Sequence, residues 1–180
     1  MLQRAPVARV IQTSSSNSYN SYSYQVATDL ETLNGCKEPY APSIIPLVNH
    51  SYGQSKLAQI IWAKTLAKRL GPNSNIYVNA FHPGVVNTEI WDKGVAMRQS
   101  TPALALSLLN WLRRQVLWTP AEGALTGHYL GVAVDRLVKN QVRGKFFHPQ
   151  SQEVQHPNAQ DDELGEKLLD FSDALIKDFV

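Results

Sequence analysis

The sequence predicts an α/β fold with a parallel sheet, and three observations lead there. Strand-like and helix-like segments alternate in the order strand, helix, strand, helices, strand, helix, an order that lays helices over parallel strands. Two helix starts carry capping-box signatures, Ser51-x-x-Gln54 and Thr119-x-x-Glu122. The first two strand candidates run straight into Ser14-Ser15-Ser16 and His82-Pro83-Gly84, and ligands bind at the carboxyl ends of strands in such sheets. At 180 residues the chain suits one domain with a real core.

Each element has its own signal. Arg9-Val10-Ile11-Gln12-Thr13 is a short β-rich run that delivers serines at its end. Residues 17–49 are rich in Ser, Tyr, Asn and Pro without a sustained period. They read as a long loop with a turn of helix near Asp29 to Leu33, and loops of this length are usually functional or partly disordered. The Ser51 box opens a helix to Leu70 with a broad apolar face that includes Leu57, Ile60, Ile61 and Leu66, and Gly71-Pro72 ends it. Ile76 to Phe81 has strand propensity. The Thr119 box opens a helix to about Val134 with Pro120 at its first position. Inside it, Gly123, Gly127 and Gly131 share one face, which predicts close helix packing rather than a phosphate cradle. Gly144-Lys145-Phe146-Phe147 reads as the last strand. From Asp161, apolar residues at Leu164, Leu168, Phe171, Leu175 and Phe179 predict an amphipathic helix.

Composition excludes several function classes. A formal net charge of +2 is too small to argue for nucleic acid or an anionic membrane. Basic residues gather between Lys93 and Lys145 and acidic ones after Asp161, which reads as solvated helix faces. Cys36 is the single cysteine, and His50, His82, His128, His148 and His156 show no close pairing, so no metal site is expected. The apolar stretch at 103–118 is broken by Asn110, Arg113 and Arg114 and falls short of the roughly 20 residues a membrane span needs. No transmembrane segment is expected, and with no targeting signal a cytoplasmic location is the expectation. Residues 95–118 are read as a candidate substrate lid, ordinary helix packing against the core being an equal alternative.

Tyr52 and Lys56 stand four apart on a helix and so share a face. A free phenol ionises near pH about 10, and a neighbouring ammonium favours the phenolate. Such a tyrosine can act as acid or base on an alcohol/carbonyl pair, while the ammonium can also bind ribose hydroxyls. The spacing alone arises by chance in about one chain in three of this composition. Its position between a strand ending in serines and a strand ending in Pro-Gly makes it meaningful.

Taken together, Ala8-Arg9-Val10-Ile11 with Ser14-Ser15, Asp29-Leu30, Tyr52-Gly53-Gln54-Ser55-Lys56-Leu57-Ala58, Leu66 to Leu70, Val78 to Glu89, Thr119 to Ala124 and Gly144 to Phe147 resemble the short-chain dehydrogenase/reductase family, in its retinol-dehydrogenase-like branch. The resemblance covers nearly the whole chain in order. It implies a partial Rossmann-type, doubly wound parallel sheet and an NAD(P)-dependent oxidoreductase, with NADP slightly favoured over NAD. Tyr52 would be the catalytic acid/base and Lys56 its activator and ribose ligand. Ser15 would hydrogen-bond the substrate oxygen, with Ser14 and Ser16 as alternatives. Pro83, Gly84, Val86 and Thr88 would lie along the nicotinamide. The partner implied is a small hydrophobic carbonyl or alcohol.

Two departures stand out. The separation of 37 positions between Ser15 and Tyr52 is long for this branch. The glycine-rich first turn that cradles a pyrophosphate has no counterpart here, so residues 1–180 are read as the C-terminal catalytic half of one domain, lacking the N-terminal dinucleotide-binding strands. A chain of that kind leaves the Arg9 strand as an edge and is expected to fold poorly or bind cofactor weakly. The alternative role is a non-catalytic interaction module built on the same half. A serine hydrolase using Ser15 and His82 is the third class, and no Gly-x-Ser-x-Gly elbow supports it.

Overall fold

The computed structural model describes residues 2–21, 26–35, 50–88 and 103–179. Four strands form one sheet: β1 (Ala8–Thr13), β2 (Ile76–Phe81), β3 (Phe146–His148) and β4 (Gln152–Val154). The helices are α1 (Leu30–Gly35), α2 (His50–Leu70), α3 (Ala103–Val116), α4 (Pro120–Val132), α5 (Val134–Lys139) and α6 (Asp162–Ile176). Strand order is β1-β2-β3-β4, with β1–β2 and β2–β3 parallel and β3–β4 antiparallel. The α/β fold with a mostly parallel sheet is as the sequence predicts. The hairpin strand β4 has no counterpart in the sequence reading. Its turn, Pro149–Ser151, places Gln150 and Ser151 at positive φ (60° and 59°), a conformation that non-glycine sequence does not advertise.

The sheet is covered on both faces, and the pleat sorts the strand residues between two cores. Val78, Ala80 and Phe146 face α2 and α6 with Leu57, Ile60, Ile61 and Leu168. Phe81 and Phe147 face α4 and α5 with Leu130 and Leu137, and Ile11 packs against that second cluster. All six residues of β2 are buried, as befits a central strand. Asn79 within it is satisfied by Val142 O at 2.9 Å and the Lys145 N–H at 2.9 Å, so burying its amide carries no unpaired cost.

Glycines set two helix approaches. A Cβ on Gly127 of α4 would lie 2.8 Å from the Phe81 ring, and one on Gly123 would lie 2.5 Å from Val86 Cγ2. A Cβ on Gly165 of α6 would overlap the Thr65 hydroxyl of α2. Gly123 and Gly127 of α4 therefore serve close packing, whereas a Cβ on Gly131 would meet nothing closer than 3.9 Å; the Arg9 guanidinium ties β1 to α4 through Gly131 O.

Boundaries shift in informative ways. α2 begins at His50, so Ser51 lies in its first turn rather than at the cap. The Thr119–Glu122 box forms in full: Thr119 Oγ1 accepts from Glu122 N at 3.2 Å and Glu122 Oε2 from Thr119 N at 2.8 Å. α4 stops at Val132 and α5 follows at once. In α6 the buried positions are Gly165, Leu168 and Leu169, whereas Leu175 and Phe179 are exposed, so the inward stripe is shorter than the sequence period implies. The acidic face of α6 meets Lys64, Lys68 and Arg69 of α2; exposed pairs like these add little individually.

Within residues 17–49, Ser16–Asn20 is a 3₁₀ helix and Leu30–Gly35 is α1, whose first turn is capped by Asp29 Oδ1 on Thr32 N at 2.7 Å. Residues 22–25 and 36–49, with Cys36, lie outside the described residues, as do residues 89–102 and so the first part of the candidate lid. The rest of the lid region is α3, with Leu108, Trp111, Leu112 and Val116 exposed. Among the described residues no helix is long and apolar enough to cross a membrane.

A candidate active site at the carboxyl edge of the sheet

β1 and β2 run in parallel with Thr13 opposite Phe81, so the segments after them leave the sheet side by side. Ser14 continues the ladder through its N–H to Phe81 O at 2.7 Å. Its hydroxyl is buried and donates to Lys56 O at 2.8 Å. Ser15 is extended (φ −148°) and caps the Ser16–Asn20 helix, its Oγ accepting from Asn17 N at 3.2 Å. Accepting there leaves the Ser15 O–H proton for another acceptor. Of these two serines, one is spent on holding α2 and the other keeps donor capacity at the edge.

The first turns of α2 bring Tyr52 and Lys56 to the same place. Lys56 Nζ lies 5.5 Å from the Tyr52 ring centroid. It donates to Thr13 O at 2.9 Å and Gln59 Oε1 at 3.2 Å, so the cation is fastened to the end of β1. Tyr52 is 42% exposed. Between them Gly53 is buried; a Cβ there would sit 2.6 Å from Ser21 Oγ and 2.7 Å from Asn17 O. The missing side chain lets the helix seat against the Ser16–Asn20 turn that Ser15 caps.

The third predicted piece leaves β2. Gly84 adopts φ +83°, which glycine alone takes without strain, and a Cβ would strike the Trp118 indole at 2.7 Å. Asn87 N donates to Trp118 O at 2.8 Å and Trp118 N to Val85 O at 3.1 Å, with Val86 bridged to Trp118. Gly123 opens the room Val86 occupies. Pro83 is half-buried and Thr88 exposed. Thus Thr13, Ser14 and Lys56 are joined directly, Ser15 and Tyr52 flank them, and the Pro83–Thr88 turn emerges from the adjacent strand, pinned by Trp118.

No local spacing in the sequence points to the aromatic cluster behind this edge. His82, His148 and His156 gather with Tyr19: the His82 and His148 rings lie 4.6 Å apart, Tyr19 stacks on His156 at 4.2 Å, and Tyr19 Oη shares a 2.7 Å hydrogen bond with His148 Nε2. His82 Nδ1 accepts from Gly84 N at 3.1 Å and His156 Nδ1 from Asn158 N at 3.2 Å. Both rings are therefore neutral with the proton on Nε2, and His156 donates it to Ser18 Oγ at 3.1 Å. Ser18 in turn donates to Ser15 O at 2.7 Å. Burial, with a smaller push from the neighbouring histidines, lowers His82 and His156 to about 4; burial also lowers His148 and raises Tyr19. No hydrogen bond joins Ser15 to His82, so the pair a serine hydrolase needs is not formed. Among the described residues no group of three or more His, Cys, Asp or Glu could hold a metal ion.

Comparison with known proteins puts this edge in context. No family model matches the chain. It is 34% identical to retinol dehydrogenase 14 of Mus musculus over 125 residues, 69% of this chain and 35% of that protein. It is 33% identical to retinol dehydrogenase 13 of Homo sapiens over 66% of this chain and 34% of the relative. With the short-chain dehydrogenase TIC 32 A, chloroplastic, of Brassica napus it shares 30% identity over 71% of this chain and 37% of the relative. The chain thus spans about a third of the length of the curated relatives it matches. In structure it is similar to an uncharacterized protein from Mycobacterium Paratuberculosis, with a TM-score of 0.50 over 95% of this chain and 51% of that one. At 21% identity that likeness speaks to the fold. Over the stretch shared with these relatives, the chain belongs to the short-chain dehydrogenase/reductase family, in its retinol-dehydrogenase-like branch.

Proposed function

We propose that this chain carries the proton-transfer half of an NAD(P)-dependent oxidoreductase that interconverts an alcohol and a carbonyl. One observation supports the reading best: the Lys56 ammonium, fixed to Thr13 O beside Ser14 and Ser15, lies 5.5 Å from the Tyr52 ring centroid. A phenol held beside such an ammonium is a group suited to acid–base work on an alcohol/carbonyl pair. In alcohol oxidation Tyr52 takes the hydroxyl proton while Ser15 donates a hydrogen bond to the same oxygen as it becomes a carbonyl. In reduction Tyr52 returns the proton. A bound nicotinamide supplies the acceptor or donor for the hydride, the hydrogen and electron pair exchanged with the carbinol carbon.

The residues present fit the ribose and nicotinamide end of such a cofactor. Lys56 uses two of its three N–H donors within the fold, leaving one for a ribose hydroxyl. Pro83, Gly84, Val86 and Thr88 belong to the turn pinned by Trp118 and would line the nicotinamide. A pyrophosphate cradle is not seen among the described residues: Gly123 and Gly127 face Val86 and Phe81. By the family resemblance, NADP is slightly favoured over NAD. A small hydrophobic alcohol or carbonyl as substrate accords with the likeness to retinol dehydrogenases and with the apolar side chains of α3.

The test is NADP-linked oxidation of a panel of apolar primary and secondary alcohols, followed by NADPH absorbance. Tyr52→Phe is expected to lower turnover by roughly 10²–10⁴-fold, with Ser15→Ala also impaired and the fold intact by circular dichroism. Full turnover by Tyr52→Phe would remove the tyrosine from the chemistry.

A further inference from the structure

A cavity of about 530 Å³ opens between the last turns of α2, the β3–β4 hairpin and the start of α6. It lies at the β3–β4 side of the sheet, whereas β1 forms the opposite edge. Lys64 and Lys68, on its rim, stand two to three helical turns beyond Lys56, roughly 12–18 Å along the axis. The cavity is therefore distinct from the edge that holds Tyr52 and Ser15 and independent of the proposed activity.

Its walls combine two chemistries. Ile60, Ala67, Phe146 and Val154 give it an apolar floor. Lys64, Lys68, Arg143 and Lys145 line it against the carboxylates of Glu153 and Asp162, an excess of positive charge. Asp162 is shared between Lys64 at 3.4 Å and Lys68 at 2.9 Å, and Lys145 pairs with Glu153 at 2.7 Å. Arg143 is held differently: its guanidinium donates to Ile76 O at 2.7 Å and lies 3.7 Å over the Tyr77 ring. Its charge is fixed in place without a carboxylate in those contacts. Lys68 and Lys145 are substantially exposed, with 60% and 45% of their side chains open to solvent, so both can turn toward an incoming anion. An apolar floor with a few convergent charged groups, at this volume, is the usual make-up of a small-molecule site.

We infer that this cavity is a second binding site, for a small amphipathic anion: an apolar chain or ring ending in a carboxylate or phosphate. The apolar body lies on Phe146 and Ala67, and the acid group meets Lys68, Lys145 and Arg143. His156 lines the cavity and also bonds Ser18, so an occupant touches the cluster behind the catalytic edge.

The experiment is amide chemical-shift titration of the full chain with sodium octanoate, octyl phosphate and, as the neutral probe, octanol. Saturable shifts are expected at Lys64, Gly144, Lys145 and Gln155 with both anions, and markedly weaker binding of octanol. The double variant Lys68→Gln, Lys145→Gln should weaken octanoate about tenfold, while Arg114→Gln on α3 leaves it unchanged. Because Lys68 and Lys145 are exposed, the double variant keeps the fold, which its unshifted core amides would verify. Absence of saturable shifts, equal binding of octanol, or unchanged affinity in the double variant would each overturn the proposal.

Discussion

Lys56 joins two roles through one ammonium group, since the contacts that fasten it to Thr13 O also hold it beside the Tyr52 ring. The histidines behind it make a separate prediction. His82 and His156 each accept a backbone N–H at Nδ1, and burial lowers both from 6.5 to about 4. Above pH 6.5 both folded and unfolded chains carry them neutral. As pH falls from 6.5 towards 4 the unfolded chain takes up protons that the folded chain refuses, so stability declines, on the order of 3 kcal/mol per imidazole at the limit. Urea midpoints should fall between pH 7 and pH 4.5, and His156→Gln should flatten that fall; an equal slope in the variant would contradict the assignment. Tyr52, Lys56 and the serine run were legible because one helix and one strand end fix them locally. The Tyr19–His82–His148–His156 cluster was not, because it forms only through the β2–β3 register and the β3–β4 hairpin, which no local spacing reveals.

At the scale of elements, the glycines of α4 decide how closely the helix meets the sheet. Gly127→Ala would put a methyl 2.8 Å from the Phe81 ring and Gly123→Ala one at 2.5 Å from Val86. Each is expected to cost about 1–3 kcal/mol, read as a lower melting temperature. Gly131→Ala meets nothing closer than 3.9 Å and should be neutral or stabilising by up to about 1 kcal/mol through helix propensity. Equal destabilisation by all three would show that the close approaches at Gly123 and Gly127 do not govern this face. Gly53→Ala should additionally lower activity, because the turn it crowds is the one Ser15 caps. The Thr119–Glu122 box was readable because capping is a local exchange of hydrogen bonds. The strand β4 escaped notice because only Val154 of its three residues favours strands, and the segment owes its conformation to pairing with β3.

For the whole molecule, the alternation of element types predicted the parallel α/β sheet, and the pleat of β2 and β3 divided the core into two faces. Which strands are neighbours was less accessible, since β1 and β2 pair across more than 60 intervening residues, of which residues 17–49 have no sustained period. The molecule spans about a third of its curated relatives, and the proposed function requires this portion to hold a nicotinamide cofactor at the edge where Tyr52 and Lys56 meet. The most direct measurement is a fluorescence titration of the purified chain with NADPH and NADH, with Lys56→Ala alongside. Saturable binding, tighter for NADPH and weakened at least about tenfold by Lys56→Ala, is the predicted result. A folded chain that binds neither nucleotide, or binds equally well without the lysine, would contradict it.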